Sequence, residues 1–349
     1  MKITRMFLMA LSVSLFVSCS NDDDDNEPKG VYDNGFFILN EGSAGQGTVS
    51  FSSDDFTGFT KDVYTTANAN DLLGKYAQNI FFDGDRAYII AGGSNVINVV
   101  DRYTFKLIAK IDSGLANPRY GVVKDGKAYV TNANTYSYIN PTTGDTDDYV
   151  AIIDLASNKV ESKIALNATA NRLILENGKL YITEPDSSDK LLIVNIASKT
   201  LEAPVTIGTS ADSIEEEDGV LYILRAPWGG ANSEIVKVKL SDKSVSKITI
   251  PAALGRAGYL DTYKNKVYYT VSKAVYAIDF TATTAASTPI VTASSVANLY
   301  GFAVNNDRIY VADSGDYKAD SKAYIYGFNG TLQKELTVGV GPNGFYFNN

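Results

Sequence analysis

The residues that could perform chemistry in this chain are acids, amides, arginines and tyrosines, because the common nucleophile–base pairs are missing. The chain contains no histidine and one cysteine, Cys19. Ser-His-Asp and Cys-His catalysis are therefore excluded, as are zinc sites built on imidazole or thiolate. Acidic residues are numerous, but no spacing singles out a carboxylate pair. The composition favours a binding protein over an enzyme, with no required cofactor and no metal site.

Polar and aromatic side chains recur at two positions of a repeated unit, and these positions are the candidates for ligand contact. One set stands at the start of the first predicted strand of successive repeats, and the other stands at the end of the second strand. Long loops add aromatic residues. Converging polar groups beside flat aromatic surfaces suit a large amphipathic ligand. The predicted contacts are Gln78, Arg119, Asn132, Tyr138, Arg172, Glu184, Asp212, Arg225, Trp228, Tyr300, Asp313 and Asn343.

A purely structural role is the alternative for these side chains. In that case Arg119 or Arg172 pairs with Asp212 or Glu184 across neighbouring repeats. The glycine-rich stretch 339–344 matches a dinucleotide-binding pattern by its letters, but no helix can follow it so near the end of the sequence.

Three other segments also favour a structural interpretation. Gly42–Gly47 is predicted to be a hairpin between the second and third strands of its repeat, and Glu215–Asp218 a solvated strand end. The stretch 145–148 lacks the alternate-position oxygen spacing of a calcium loop.

The elements that position the candidates follow from a repeat that extends along the whole chain. Each copy has a polar turn and then a strand with a central aromatic residue, as in Asp125-Gly126-Lys127-Ala128-Tyr129-Val130. Seven copies at a spacing of about 40 to 50 residues fit four short strands per copy. We therefore predict an all-β fold, a seven-bladed β-propeller with four-stranded antiparallel blades. The aromatic positions are Phe37, Tyr88, Tyr129, Tyr181, Tyr222, Tyr268 and Tyr310.

The third copy predicts the strands of one blade, and the two ends of the repeat predict how the ring closes. The four strands of that copy are expected at 120–124, 128–132, 149–155 and 159–166. The first copy lacks a first strand, whereas the final residues look like the start of a blade. The C-terminal strand should therefore join blade one and remove an open sheet edge. Helices should be nearly absent, with 67–75 as the one ambiguous stretch.

The N-terminus has the features of an export signal. Two basic residues precede a short apolar run, which is well below the roughly 20 residues that span a bilayer as a helix. Phe16-Val17-Ser18-Cys19 resembles a lipobox, so residues 1–18 are the predicted signal peptide and Cys19 is the predicted lipidation site. An ordinary cleaved signal peptide is the alternative. Residues 19–30 form the predicted tether and residues 31–349 the propeller domain.

The acidic run of the tether predicts where the protein is exported. A lipidated cysteine followed by Asp22, Asp23, Asp24 and Asp25 resembles the surface-export signal of Bacteroidetes lipoproteins. The resemblance implies the outer face of the outer membrane, with contact to the membrane through the lipid anchor only, and the periplasmic face is the alternative. The net charge of −9 and the lack of a basic stripe argue against nucleic acid as a partner.

Two groups of motifs resemble known propellers. Tyr129-Val130-Thr131-Asn132 has the signature of the YVTN, or YncE-like, repeat, and 181–184 and 310–313 are looser copies. Phe37-Ile38-Leu39-Asn40-Glu41-Gly42 after a lipoprotein tether, with Asn117-Pro118-Arg119-Tyr120, resembles the narrower BtuG group of Bacteroidetes surface lipoproteins. That resemblance implies capture of cobalamin or a related corrinoid as a transported ligand, and its delivery to a TonB-dependent outer-membrane transporter.

Two other functions stay open at this stage. One is a surface propeller that binds protein or glycan without a small ligand. The other is a histidine-independent propeller enzyme, such as a lactonase or lyase.

Overall fold

The computed structural model describes residues 29–43, 45–69, 71–134, 147–186 and 188–348. Several sequence predictions fall outside these ranges and are not addressed by the structure. They concern Cys19, the acidic residues Asp22, Asp23, Asp24 and Asp25, and the candidate contact Tyr138.

Seven antiparallel sheets follow one another around a central channel, which confirms the predicted seven-bladed propeller. The innermost strands are β4 (Ala77–Asp83), β8 (Pro118–Lys124), β12 (Leu173–Glu176), β17 (Ala211–Glu217), β21 (Ala257–Tyr263), β25 (Leu299–Asn305) and β29 (Pro342–Asn348). The second strands are β1 (Gly35–Asn40), β5 (Arg86–Ala91), β9 (Lys127–Asn132), β13 (Lys179–Ile182), β18 (Val220–Arg225), β22 (Lys266–Val271) and β26 (Arg308–Asp313).

Two further ranks of strands complete the blades. The third strands are β2 (Thr48–Ser53), β6 (Val96–Asp101), β10 (Tyr149–Asp154), β14 (Lys190–Asn195), β19 (Ser233–Lys239), β23 (Ala274–Asp279) and β27 (Ser321–Gly327). The outer strands are β3 (Phe59–Thr60), β7 (Leu107–Ile111), β11 (Lys159–Ala165), β15 (Thr200–Leu201) with β16 (Val205–Thr206), β20 (Val245–Ile250), β24 (Val291–Thr292) and β28 (Leu332–Val338). The strands predicted for the third copy match β8 to β11 within about two residues, as expected for boundary assignments.

Blade one is built from both ends of the repeat. Its strand order is β29-β1-β2-β3, whereas blades two to seven each use consecutive strands beginning with β4, β8, β12, β17, β21 and β25. β29 pairs antiparallel with β1, with Phe345 opposite Ile38 and Asn348 opposite Gly35. The predicted closure of the ring by the C-terminal strand is therefore confirmed. Blade four differs at its outer edge, where β15 and β16 each pair with part of β14.

The core lies between the blades because successive side chains of a strand point to opposite faces of its sheet. In β1, Phe36 and Ile38 pack toward blade seven, where they meet Tyr310. Phe37 and Leu39 pack toward blade two. All seven aromatic positions of the repeat are buried. Each aromatic ring thus fills the space between two neighbouring sheets, which explains its recurrence in the sequence.

Helical structure is scarce, as the sequence predicts. One short helix, α1 (Val63–Ala67), follows the outer strand of blade one, and the Asp62 side chain caps it by accepting from the Thr65 amide at 3.2 Å. The helix ends where the ambiguous stretch 67–75 begins. Two 3-10 turns span Gly92–Ser94 and Ala252–Leu254. In the part of the chain that the structure describes, no helix is both long and apolar enough to cross a membrane.

Candidate functional site

The inner strands all begin at one edge of the ring, the upper edge, and most of them begin with a β-bulge. In β4, β8, β17, β21, β25 and β29 the pairing register shifts within the first few residues. A bulge changes the direction in which a side chain points, relative to the regular alternation of the strand. Seven residues at these shifts line the mouth of the central channel. They are Gln78, Arg119, Tyr120, Asp212, Tyr259, Tyr300 and Asn343.

These side chains surround a depression of about 210 Å³, which we call the upper cavity. Glu41, Asn171 and Arg172 complete its lining. Every blade contributes at least one residue. Six of the twelve predicted contacts are therefore brought together, namely Gln78, Arg119, Arg172, Asp212, Tyr300 and Asn343.

A hydrogen-bonded network of charges occupies one side of the upper cavity. Arg119 Nε donates to Asn171 Oδ1 at 3.2 Å, and Asn171 Nδ2 donates to Asp212 Oδ1 at 2.7 Å. Arg172 Nε donates to the same carboxylate oxygen at 3.3 Å. The Arg172–Asp212 pair considered from the sequence is therefore present. It forms part of the cavity wall, so the structural and the ligand-binding interpretations concern the same atoms.

The Arg172 guanidinium is held deep in the mouth of the channel. Its Cζ lies 4.6 Å from the centre of the Tyr120 ring, whose hydroxyl accepts from Gln78 Nε2 at 2.9 Å. Burial opposes the positive charge, but the oxygens of Tyr120 and Asp212 outweigh it, and the pKa of Arg172 is raised. The side chain therefore carries a fixed positive charge at this position.

The opposite side of the upper cavity is polar and aromatic. The Tyr300 hydroxyl donates to Glu41 Oε2, and its ring meets Tyr317 edge-on at 5.1 Å between centroids. Burial first and the Glu41 carboxylate second raise the pKa of Tyr300, so its hydroxyl stays protonated. Asn343 Nδ2 donates to the Ala77 carbonyl at 2.8 Å. The Asn343 Oδ1 is buried and accepts no hydrogen bond from any described residue.

The upper cavity adjoins the channel cavity, a space of about 320 Å³ whose lining also includes Tyr120, Arg172 and Tyr259. Glu215 and Asp261 line this lower space. Asp261 accepts the amides of Thr262 and Val304, each at 2.7 Å. Burial raises the pKa of Asp261 to about 6, with a further contribution from Glu217. Burial and the nearby Asp261 also raise the pKa of Glu215.

The position of Glu215 corrects one sequence interpretation. The run Glu215–Asp218 is not simply a solvated strand end, because alternation along β17 places Glu215 on the channel side. Carboxylates with raised pKa values in a cavity are capable of proton transfer. Within the described ranges, no three histidine, cysteine or acidic side chains are grouped so as to hold a metal ion.

A second depression, the tryptophan pocket, adjoins the upper cavity over blades five and six. It measures about 300 Å³ and shares Asp212 and Tyr259 with the upper cavity. The Trp228 side chain on its rim is 77% exposed, and the Arg256 guanidinium stacks on its ring at 3.9 Å. Arg256 Nε in turn donates to the Ala226 carbonyl at 2.8 Å. The indole is therefore held in a fixed orientation while most of its surface stays available.

The sequence from residue 34 to residue 347 matches the DUF5074 model, which is described as a domain of unknown function. The chain belongs to the DUF5074 family. None of the curated proteins matches this DUF5074 chain.

Solved structures with a similar fold are numerous and distant in sequence. A functionally unknown protein from Desulfotomaculum acetoxidans superimposes with a TM-score of 0.66 at 12% identity, covering 90% of this chain and 98% of that one. Hydrazine synthase of Kuenenia stuttgartiensis gives 0.61 at 14% identity, covering 75% and 86%. Apo AztD from Citrobacter koseri gives 0.51 at 13% identity, covering 89% and 96%. At these identities the likeness establishes the fold, and the named proteins include an enzyme.

Four predicted contacts at the ends of second strands lie outside the lining of the upper cavity, because their side chains support neighbouring loops. Asn132 Oδ1 accepts the Ala116 amide at 2.9 Å, and Asp313 accepts the amides of Ala297 and Asn298, each at 2.8 Å. The remaining two behave similarly. Glu184 accepts the amides of Asp186 and Ser188, and Arg225 pairs with Glu234 and donates to the Thr209 carbonyl.

Several cavity residues were missed by the sequence prediction. Among them are Tyr120, one position beyond the predicted contact Arg119, and Tyr259 of β21. Two other missed residues, Glu215 and Asp261, occupy the fifth position of their inner strands. If every second residue after the bulge is assigned to the channel side, these two carboxylates are placed there.

Proposed function

We propose that this chain is a lipoprotein of the outer membrane, anchored through Cys19 and exposed on the cell surface. In this proposal it captures cobalamin or a related corrinoid on its upper face and delivers it to a TonB-dependent outer-membrane transporter. The lipobox and the resemblance to BtuG-type propellers support the anchoring, the ligand and the partner. The geometry of the upper edge supports the capture step.

The observation that carries the proposal is the adjacency of the upper cavity to its two neighbours. Tyr259 lines the upper cavity, the channel cavity and the tryptophan pocket. A large ligand over the channel mouth could therefore also reach Trp228. Ligand sites of a few hundred cubic ångströms with few fixed polar groups are typical of small-molecule binding.

The chemistry of the lining also fits an amphipathic ligand. Trp228 offers a flat apolar surface, and exposed tryptophans of this kind are common energetic anchors at binding sites. Gln78 and Asn343 place amide groups in the lining, and the terminal nitrogens of Arg119 donate no hydrogen bond within the described residues. Corrinoids carry both apolar ring surface and peripheral amides, so both parts of the lining would be used.

Isothermal titration of the purified protein with cyanocobalamin tests the proposal. Trp228→Ala and Arg119→Ala are expected to weaken binding by about tenfold, since an anchor contact contributes more than about 1 kcal/mol. The melting temperature should stay unchanged because Trp228 is mostly exposed. Arg86→Ala is the matched control, since Arg86 begins β5 at the lower edge and donates to the Leu155 carbonyl at 3.1 Å. If the wild-type protein at micromolar concentration releases no heat on titration with cyanocobalamin, cobalamin is excluded as the ligand.

A carboxylate-dependent enzyme is the second candidate, and the channel cavity favours it. Asp261, with its pKa raised to about 6, and Glu215 face the same space below Arg172. A protonated and an ionised carboxyl in one cavity can act as general acid and general base. Turnover of a lactone panel by the purified protein would support this function.

A further inference from the structure

Two guanidinium groups on the upper edge have donors that the fold leaves unused. Arg119 forms one hydrogen bond in the described structure, from Nε to Asn171, and no ion pair within 4.0 Å. Arg172 donates from Nε to Asp212. In the described residues, the terminal nitrogens of neither guanidinium donate a hydrogen bond. Both side chains line the upper cavity, and Arg172 also lines the channel cavity beneath it.

The bonds that do exist fix both groups in place. Asn171 links them, because its Oδ1 accepts from Arg119 and its Nδ2 donates to the Asp212 oxygen that Arg172 also contacts. The Nε edge of each guanidinium is thereby occupied, and the terminal edge is left free. A planar guanidinium held at one edge presents two parallel donors at the other, which matches the geometry of a carboxylate or phosphate.

The local charge favours an anion on this side of the cavity. Arg119 and Arg172 carry two positive charges, and Asp212 supplies one negative charge to the network. The other carboxylate of the cavity, Glu41, follows β1 in blade one and accepts from the Tyr300 hydroxyl. Within the upper cavity an anion is therefore attracted toward blades three and four, away from Glu41 and from the Glu215 and Asp261 carboxylates of the channel cavity.

We propose that the upper cavity binds an oxyanion, a carboxylate or a phosphate group of the ligand, between Arg119 and Arg172. This inference rests on the proposed capture function and narrows its ligand to molecules that carry such a group. The tryptophan pocket is adjacent, because Asp212 borders both depressions. The ligand class is thus an oxyanion attached to a flat apolar body.

Ligand-observed NMR titrations at constant ionic strength test this subsite with three simple probes. Phenyl phosphate and benzoate carry the anion on an aromatic ring, and benzyl alcohol carries a neutral group. We expect either anionic probe to bind at least about tenfold more tightly than benzyl alcohol, as charge-assisted bonds to a bidentate group allow. The tighter of the two anions identifies whether the site takes phosphate or carboxylate.

Variants assign the effect to the two arginines. Arg119→Gln should weaken binding of the preferred anion about tenfold and leave the affinity for benzyl alcohol unchanged. Arg86→Gln removes a charge at the lower edge and should change neither affinity. Arg172→Lys keeps the positive charge but loses the two parallel donors of the guanidinium. It should therefore weaken anion binding several-fold in a protein that still folds. Equal binding of anionic and neutral probes, or equal anion binding by wild type and Arg119→Gln, overturns the subsite.

The two proposals can fail separately. Cyanocobalamin binding that Arg119→Gln does not change would retain the capture function and remove the anion subsite. Phenyl phosphate binding that needs Arg119, in a protein that gives no heat with cyanocobalamin, would retain the subsite and remove cobalamin as the ligand.

Discussion

Replacing Phe345 with alanine should destabilise the propeller at the seam where the ring closes. Phe345 belongs to β29 and is 7% exposed, and its ring centre lies 5.4 Å from that of Tyr310 and 6.4 Å from that of Phe36. Burial of a phenylalanine ring contributes about 1.5–3 kcal/mol. The cavity left behind adds to this, so we expect a loss of about 3–5 kcal/mol in the free energy of unfolding.

Differential scanning calorimetry measures the effect. For a chain of this length, 1 kcal/mol corresponds to about 1.5 °C, so the melting temperature of Phe345→Ala should fall by about 5–7 °C. Phe59→Ala is the matched control, because Phe59 lies in the outer strand of the same blade and is 41% exposed. That control should lose about 1 kcal/mol or less. Equal shifts for the two variants would show that the seam does not contribute to stability as its burial indicates.

Two further predictions concern the same ring. Deletion of the residues after Val340 removes β29, leaves β1 as an open edge, and should cost a large part of the roughly 5–15 kcal/mol that stabilises a domain; a truncated protein that melts like the full chain contradicts this. The second prediction is that the free energy of unfolding falls as pH rises through the pKa of about 6 of Asp261, because the folded channel holds this proton more tightly than the unfolded chain, whose ordinary value is 3.8. The protonated carboxyl contributes its full stabilisation of the folded state below pH 4. Above pH 6 this stabilisation, on the order of 3 kcal/mol, is lost. Glu215→Gln, measured by urea unfolding at pH 4 and pH 8, should therefore stabilise the protein only at pH 8, whereas the exposed Glu335→Gln should have little effect at either pH.

The fold was predictable because every blade repeats one physical requirement. An aromatic residue in the second strand fills the space between two sheets, and a polar turn precedes it, so seven copies predict seven blades. The closure was predictable for the same reason, since Pro342 and Asn343 match Pro118 and Arg119 at the start of a first strand. Strand ends were less predictable, because the first residues of the inner strands depart from regular pairing.

The candidate site was only half predictable. Gln78 and Asp212 were found because they recur at one position of the repeat. Asn132 and Asp313 were also at a recurring position, but each of them accepts loop amides at the end of its second strand. A sequence shows that a polar side chain recurs, but not whether backbone amides already satisfy it. Glu215 was missed because an acidic run resembles a solvent-exposed surface unless the bulge that sets its register is known.

The pairing of β29 with β1 also determines from which side of the disk the N-terminal segment departs. Gly35 begins its strand at the lower edge, opposite Asn348, and the Asn348 side chain donates to the Tyr32 carbonyl at 2.6 Å. In the proposed anchoring, a lipid on Cys19 would thus hold the propeller by its lower edge, with the upper cavity at the opposite edge. Because Tyr32 is buried and its amide donates to the Tyr103 carbonyl at 3.0 Å, the segment is tied to the disk from this residue onward, and any reach toward the proposed transporter would come from the residues that precede it.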